Sequence, residues 1–291
     1  MTQRRIFRLN MRRGMLVLGR KTLVMGVLNV TPDSFSDGGN FLNVRQAVEH
    51  ALRMQRDGAD IIDIGAESTR PGSDEIPVAE ELARLLPILE SLRGKLKIPT
   101  SVDTQKAAVA EIAIGAGAAM INDVSGLRHD PRLAEVVAHH AVPLVLMHMR
   151  GTPRTMQKLP FAKYVMKDVV NGLKKSVSIA RKAGVAKSKI IVDPGIGFGK
   201  SSEQNYELLA KLGEIAKLGY PLLVGTSRKG FLGRTLARNR GPAPPEKRIW
   251  GTAATVTASI LGGAHIVRVH DVEEMAQVAR IADAILNQPA G

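Results

Sequence analysis

LVMGVLNVTPDSFSDGG, residues 23–39, runs from an apolar stretch that closes on Asn29 into a loop of Thr, Pro, Asp, Ser and Gly. A short run of strand-forming residues bounded by turn formers reads as a buried β-strand followed by a loop. No G-x-G-x-x-G follows it, so the phosphate-binding turn of a doubly wound dinucleotide fold is missing. Working outward, the same unit recurs. Strands are predicted at 23–29, 61–64, 98–103, 119–123, 142–147, 190–193, 222–225 and 265–269. Between them, apolar residues at helical spacing predict helices at 44–57, 78–92, 107–116, 131–140, 164–183 and 205–218, with two more after the seventh strand. Each helix returns the chain so that the next strand runs parallel. Polar residues recur after nearly every strand, and only closure brings all those ends to one mouth. The expected class is therefore α/β, a (β/α)8 TIM barrel. A short N-terminal β-hairpin at 6–18, turning at Arg13-Gly14, is placed to close its floor.

Composition agrees with a globular chain. Of 291 residues, 44% are hydrophobic and 23% charged, enough to bury a full core. No Ser/Gly linker or composition shift divides the chain, so 1–291 is read as one domain with a Pro-rich surface insertion at 238–247. The absence of Cys excludes disulfides, thiolate zinc sites and cysteine nucleophiles. The opening MTQRRIFRLNMRRG lacks the apolar run of a signal peptide, and no segment reaches the ~20 apolar residues of a membrane span, so a cytoplasmic protein is expected. The net charge of +14 suits steering of small anions better than nucleic-acid binding, because the basic residues are scattered and several sit at helix ends.

The strand ends carry the chemistry. Asn29 precedes a loop able to move over a ligand. DIGAESTRPG, 63–72, groups Glu67, Ser68, Thr69, Arg70 and Pro71, with Arg70 suited to a carboxylate or phosphate. SVDT ends on Asp103 and INDVSG holds Asn122. DPGIGFGK joins Asp193 to glycines and to Phe198, which can stack on a flat ring. VGTSRKG places Gly225, Ser227 and Lys229 at the start of a connection where barrels bind anions. In IVRVHD, Arg268 and His270 alternate with Val269 and share one side of the strand, a pair of donors fitting pyrophosphate. Plainer readings stand beside these. Asp103 and Ser227 are also good helix caps, and Asn122-Asp123 can simply start a turn. His148, in LVLMHMRG, is open to either reading, Met147 can line a pocket wall, and the remaining histidines read as surface or packing residues.

Seven such segments in this order, from about residue 22 onward, resemble the dihydropteroate synthases. The resemblance implies displacement of pyrophosphate from 6-hydroxymethyl-7,8-dihydropterin pyrophosphate by the amine of 4-aminobenzoate. It assigns Asp103, Asn122, Met147, Asp193, Phe198, Gly225 and Lys229 to the pterin, and gives Lys229, Asp103 and Arg268 catalytic roles. Asn29, Arg268 and His270 fall to pyrophosphate, with Mg²⁺ held by Asn29 and phosphate oxygens. Thr69, Arg70, Pro71, Phe198 and Ser227 fall to aminobenzoate, where sulfonamides would compete. The loops holding Asp33, Ser34 and Phe35 and Thr69 to Pro71 are expected to order over the bound intermediate. A homodimer is implied as well. A pterin-dependent methyltransferase, a non-catalytic pterin-binding paralogue and a nucleic-acid binder are the rivals. The SRK of residues 227–229, the RVHD segment and the intact loops argue against the first two.

Overall fold

The computed structural model describes residues 4–12, 14–30, 40–70, 72–156, 158, 161–237 and 241–288. Strands β1 (Phe7–Asn10) and β2 (Met15–Leu18) pair antiparallel, with Leu9 opposite Leu16. Gly14 at their turn has φ +79, while Arg13 lies outside the described residues. Eight parallel strands follow: β3 (Leu23–Asn29), β4 (Ile61–Gly65), β5 (Thr100–Asp103), β6 (Met120–Asp123), β7 (Leu144–Met147), β8 (Ile190–Asp193), β9 (Leu223–Val224) and β10 (Ile266–Val269). Their spatial order is β8-β7-β6-β5-β4-β3-β10-β9, and a parallel bridge from Val192 to Leu222 joins the two ends of the row, so the sheet closes on itself. Closure removes the exposed edges that an open sheet must protect.

The helices are α1 (Asn40–Arg56), α2 (Val78–Leu92), α3 (Ala107–Ala116), α4 (Leu133–His140), α5 (Val165–Lys182), α6 (Ser202–Ala210), α7 (Leu212–Ala216), α8 (Gly230–Thr235), α9 (Ile249–Leu261) and α10 (Val272–Leu286). Two differences from expectation have local causes. The helix expected over 205–218 is divided at Lys211, whose φ of −114 leaves the helical range. After β9 there are three helices rather than two, because the SRK segment itself leads into the short α8. The Pro-rich segment at 238–247 ends in a short 3-10 turn, Pro245–Lys247, and residues 238–240 lie outside the described set.

The strands bury two sets of side chains. One set faces outward, joining α-helical residues in the main core between sheet and helices. The other points into the barrel: Leu23, Met25, Ile61, Met120, Val145, Ile191, Leu223 and Ile266 pack with Leu9 and Leu18 of the hairpin. The hairpin thus closes the floor with an apolar plug. Among the described residues no helix is long and apolar enough to cross a membrane.

Candidate active site

Above the plug, the inward side chains change from apolar to polar at the strands' C-terminal ends. Arg268 on β10 donates from Nε to Oδ2 of Asp63 on β4 at 2.7 Å, and from Nη2 to Oδ2 of Asp103 at the end of β5 at 2.9 Å. Asn122 on β6 donates from Nδ2 to the same Asp63 oxygen at 3.0 Å. Asp63 is fully buried and its Oδ1 has no partner among the described residues. Because Asp63 Oδ2 accepts, the Asn122 amide turns its NH₂ toward Asp63 and its carboxamide oxygen away from it. Arg268 keeps Nη1 without a partner among the described residues.

Burial pushes the Asp103 carboxyl up to about 7, opposed by Arg268 and reinforced by Asp63. At the end of β8, burial raises Asp193 to about 6, although its Oδ1 accepts the Gly195 N–H at 2.7 Å. Lys229, after β9, is lowered to about 8 by burial and by Arg268, while Asp193 and Asp103 pull the other way. Its ammonium lies 3.9 Å from the centre of the Phe198 ring. Arg268 thus makes the direct pair with Asp103, and Lys229 occupies one face of Phe198. Perturbed acids and bases gathered at one barrel mouth are a signature of a functional site.

The plainer readings divide. Lys106, not Asp103, occupies the cap position of α3, and Ser227 does not cap α8. Instead Ser227 Oγ accepts the His270 N–H at 3.2 Å and lies 3.0 Å from its Nδ1. His270 is held neutral, lowered to about 3 by burial and by Arg268. Asp123 does make the turn, accepting the N–H groups of Ser125 and Leu127 at 2.8 and 2.6 Å. Its neighbour Asn122 faces the barrel mouth instead and donates to Asp63. Within DPGIGFGK, a Cβ on Gly195, at φ +68, would lie 1.9 Å from the His148 carbonyl oxygen. That glycine lets two loops meet.

Asn29 ends β3 beside Gly65, and a Cβ placed on Gly65 would sit 3.8 Å from both Asn29 Oδ1 and Asp103 Oδ2. The bare Gly65 leaves room between these two oxygens. Gly225 follows β9 directly, and Met147 and Phe198 belong to a small apolar cluster with Val124, Met149 and Met156. Beside that cluster, a cavity of about 760 Å³ is lined by Met147, His148, Arg150, Lys167, Asp168 and Lys175, apart from the strand-end carboxylates. His148 is buried, is pushed down to about 2 chiefly by desolvation, and faces Asp168 at 3.5 Å. Thr69 and Arg70 sit in the loop after β4 with Arg70 exposed. Asp33, Ser34, Phe35 and Pro71 lie outside the described residues.

Two groups escaped the sequence reading, and a third, Arg228, was read only as part of the SRK segment. Asp63 was read only as part of a strand, though an acid inside an apolar strand is itself a signal. Lys200, lowered to about 7 by burial, donates to the carbonyls of His148, Gly195 and Phe198 and ties the loops after β7 and β8 together. Arg228, at φ +58, forms a two-pronged pair with Asp271, while its own carbonyl accepts from Arg248 at 2.7 Å. Those contacts hold an uncommon backbone conformation between Ser227 and Lys229.

A family model described as "Pterin binding enzyme" matches residues 25–270. The dihydropteroate synthase of Bacillus subtilis is 50% identical over 268 residues, covering 92% of this chain and 90% of that one. This chain belongs to the dihydropteroate synthase family. Among solved structures, the Xanthomonas albilineans dihydropteroate synthase with 4-aminobenzoic acid is 42% identical, with a TM-score of 0.90 and coverage of 98% of this chain and all of that one. The Yersinia pestis dihydropteroate synthase in complex with a sulfonamide drug is 43% identical, with a TM-score of 0.89 over 97% of this chain and 100% of that one.

Proposed function

We propose that this dihydropteroate synthase joins 6-hydroxymethyl-7,8-dihydropterin pyrophosphate to 4-aminobenzoate at the mouth built on Asp63, Asp103, Asn122, Asp193, Lys229 and Arg268. The observation that carries the residue roles is the chain of contacts Asn122–Asp63–Arg268–Asp103, because it fixes each polar group in a defined direction. Asp103, Asp193 and the Asn122 oxygen accept from the pterin amino and ring N–H groups, and Lys229 donates to its carbonyl. Leaving any of these pterin groups unpaired on burial would cost about 1–3 kcal/mol. Met147, Gly225 and Phe198 line the apolar part of that pocket.

In the reaction the aminobenzoate nitrogen lone pair forms the C–N bond as the methylene C–O bond breaks, and the electron pair leaves with pyrophosphate. The nitrogen then releases a proton. An arylamine is already neutral near neutral pH, so the main demand is stabilising the leaving group. Arg268, with Nη1 open, and neutral His270 are placed to hold pyrophosphate oxygens. The oxygen of Asn29 beside Gly65 fits a Mg²⁺ ion completed by phosphate oxygens, and that ion would supply charge to the leaving group. Thr69, Arg70, Pro71, Phe198 and Ser227 take aminobenzoate and the sulfonamides that mimic it, with Asp33 to Phe35 closing over the site. A cytoplasmic homodimer completes the reading; the exposed Trp250 on α9 and Ile281 and Ile285 on α10 are apolar side chains that a second copy can cover.

The test is pyrophosphate release with the pterin pyrophosphate and Mg²⁺, with and without 4-aminobenzoate, alongside chromatography of the product. Dihydropteroate formed only when both substrates are present is the expected result. Pterin binding without product would overturn the catalytic roles.

A further inference from the structure

The loop after β4, which carries Thr69 and Arg70, is held at both ends by one ammonium group. Lys106 Nζ donates to Glu67 Oε1 at 2.9 Å, where the loop leaves the strand. It also donates to the Ile76 carbonyl at 2.7 Å, where the loop enters α2, and to Glu81 Oε2 inside α2 at 2.8 Å. Glu67 Oε1 further accepts the Ile76 N–H at 2.8 Å, so the stem is closed from both sides. Lys106 and Glu81 are only 5% and 1% exposed. Lys106 also lies three residues beyond Asp103, and Gln105 between them reaches Glu67 at 3.5 Å. The strand end assigned to the pterin and the loop assigned to aminobenzoate therefore share one ion cluster.

Such a cluster is a poor way to gain stability, because desolvating the charges cancels most of their attraction and apolar residues would serve as well. Burial works to lower the Lys106 pKa, but hydrogen bonds to Glu81 and Glu67 outweigh it and keep the group protonated. What a charged clamp supplies, and an apolar plug does not, is direction: three acceptors converge on one point and set the loop's register against β5.

We infer that Lys106 is a positioning residue for the aminobenzoate subsite, clamping the stem of the Thr69–Arg70 loop in register with Asp103. The inference rests on the proposed assignment of Thr69 and Arg70 to aminobenzoate. Its action is indirect, since Lys106 touches neither substrate; the fraction of molecules with the loop aligned sets the apparent affinity for the second substrate. If that fraction falls to about one tenth, the KM for aminobenzoate rises about tenfold while the pterin site is unchanged.

The experiment is steady-state kinetics on the full chain, each substrate varied in turn, for Lys106→Met, Lys106→Arg and Arg70→Ala. The expected result is a KM for 4-aminobenzoate raised about tenfold in Lys106→Met, with the KM for the pterin pyrophosphate within about twofold of the parent. Lys106→Arg restores the parent KM, because its fork of donors can still bridge Glu67 and Glu81. If Lys106→Met fails to fold, Glu67→Gln takes its place: it keeps an acceptor for Ile76 but loses the charge, and a smaller rise confined to aminobenzoate is expected. Equal rises for both substrates, or no rise while Arg70→Ala does raise the aminobenzoate KM, would overturn the clamp. An Arg70→Ala enzyme with unchanged aminobenzoate KM would instead overturn the subsite assignment beneath it.

Discussion

At the floor of the barrel, Leu9 and Leu18 meet a ring of inward-facing Leu, Met, Ile and Val side chains. At the mouth, two residues further along several of the same strands, the inward groups are Asp63, Asp103, Asn122, Asp193 and Arg268. The floor is held by contacts of the same sign, each adding its own area. The mouth is held by charges that are costly when alone and tolerable only together. The floor should therefore lose stability without losing chemistry, whereas the mouth should lose both and should respond to paired changes in a non-additive way.

The largest expected effect breaks the mouth. Arg268→Met leaves Asp63 and Asp103 without their shared cation, and urea unfolding should show a loss of about 3–5 kcal/mol. Adding Asp63→Asn should return part of that loss. If the double variant is no more stable than the single one, the pairing is not what holds the mouth. The same Arg268 change should weaken pyrophosphate-bearing ligands more than a pterin without phosphates, measured by calorimetry.

Next comes the floor. Leu18→Ala removes a fully buried side chain and should cost about 2–5 kcal/mol in the same unfolding assay. kcat/KM at a temperature where the variant is folded should stay within about twofold of the parent. A large kinetic defect in a folded Leu18→Ala enzyme would break the contrast between the two ends.

A smaller effect sharpens the mouth alone. Asp193→Asn should weaken pterin binding by about 1–3 kcal/mol whether or not phosphates are attached. Unchanged pterin affinity would remove Asp193 from the pocket. The pH profile of kcat/KM tests the same set of groups. Asp193 and Asp103, raised to about 6 and about 7, must be ionised to accept from the pterin, so the rate climbs as pH rises through that window. Lys229, lowered to about 8, must be protonated to donate, so the rate falls as pH rises through about 8. The limbs belong to the coupled set rather than to single residues. Asp193→Asn should shift the acid limb, and a profile without an alkaline limb would argue against a donor role for Lys229.

How much was legible in the sequence differs by residue. Asn29, Asp103, Asn122 and Asp193 were legible because strand ends are marked by an apolar run stopping at a polar residue. Asp63 was not, because it lies within its strand and the helical or strand period says which face a residue takes, not what it meets there. The same limit divided Asn122 from Asp123: adjacent residues alternate across the sheet, and only the first faces the mouth. Arg228 was legible as a residue of the SRK segment but not as the partner of Asp271, 43 positions away.

By itself, the sequence determined the alternation of strand and helix and the polar strand ends, since both follow from local pattern and residue type, and its ordered motifs carried the resemblance to the family. Only the tertiary structure decided that Val192 and Leu222 close the sheet, that Lys106 gathers carboxylates from two segments, and that Arg268 meets Asp63 and Asp103 across 205 and 165 residues. The reason is physical: periodicity fixes the side on which a chain places its groups, while the pairing of buried charges depends on distances and desolvation that exist only once the barrel has closed.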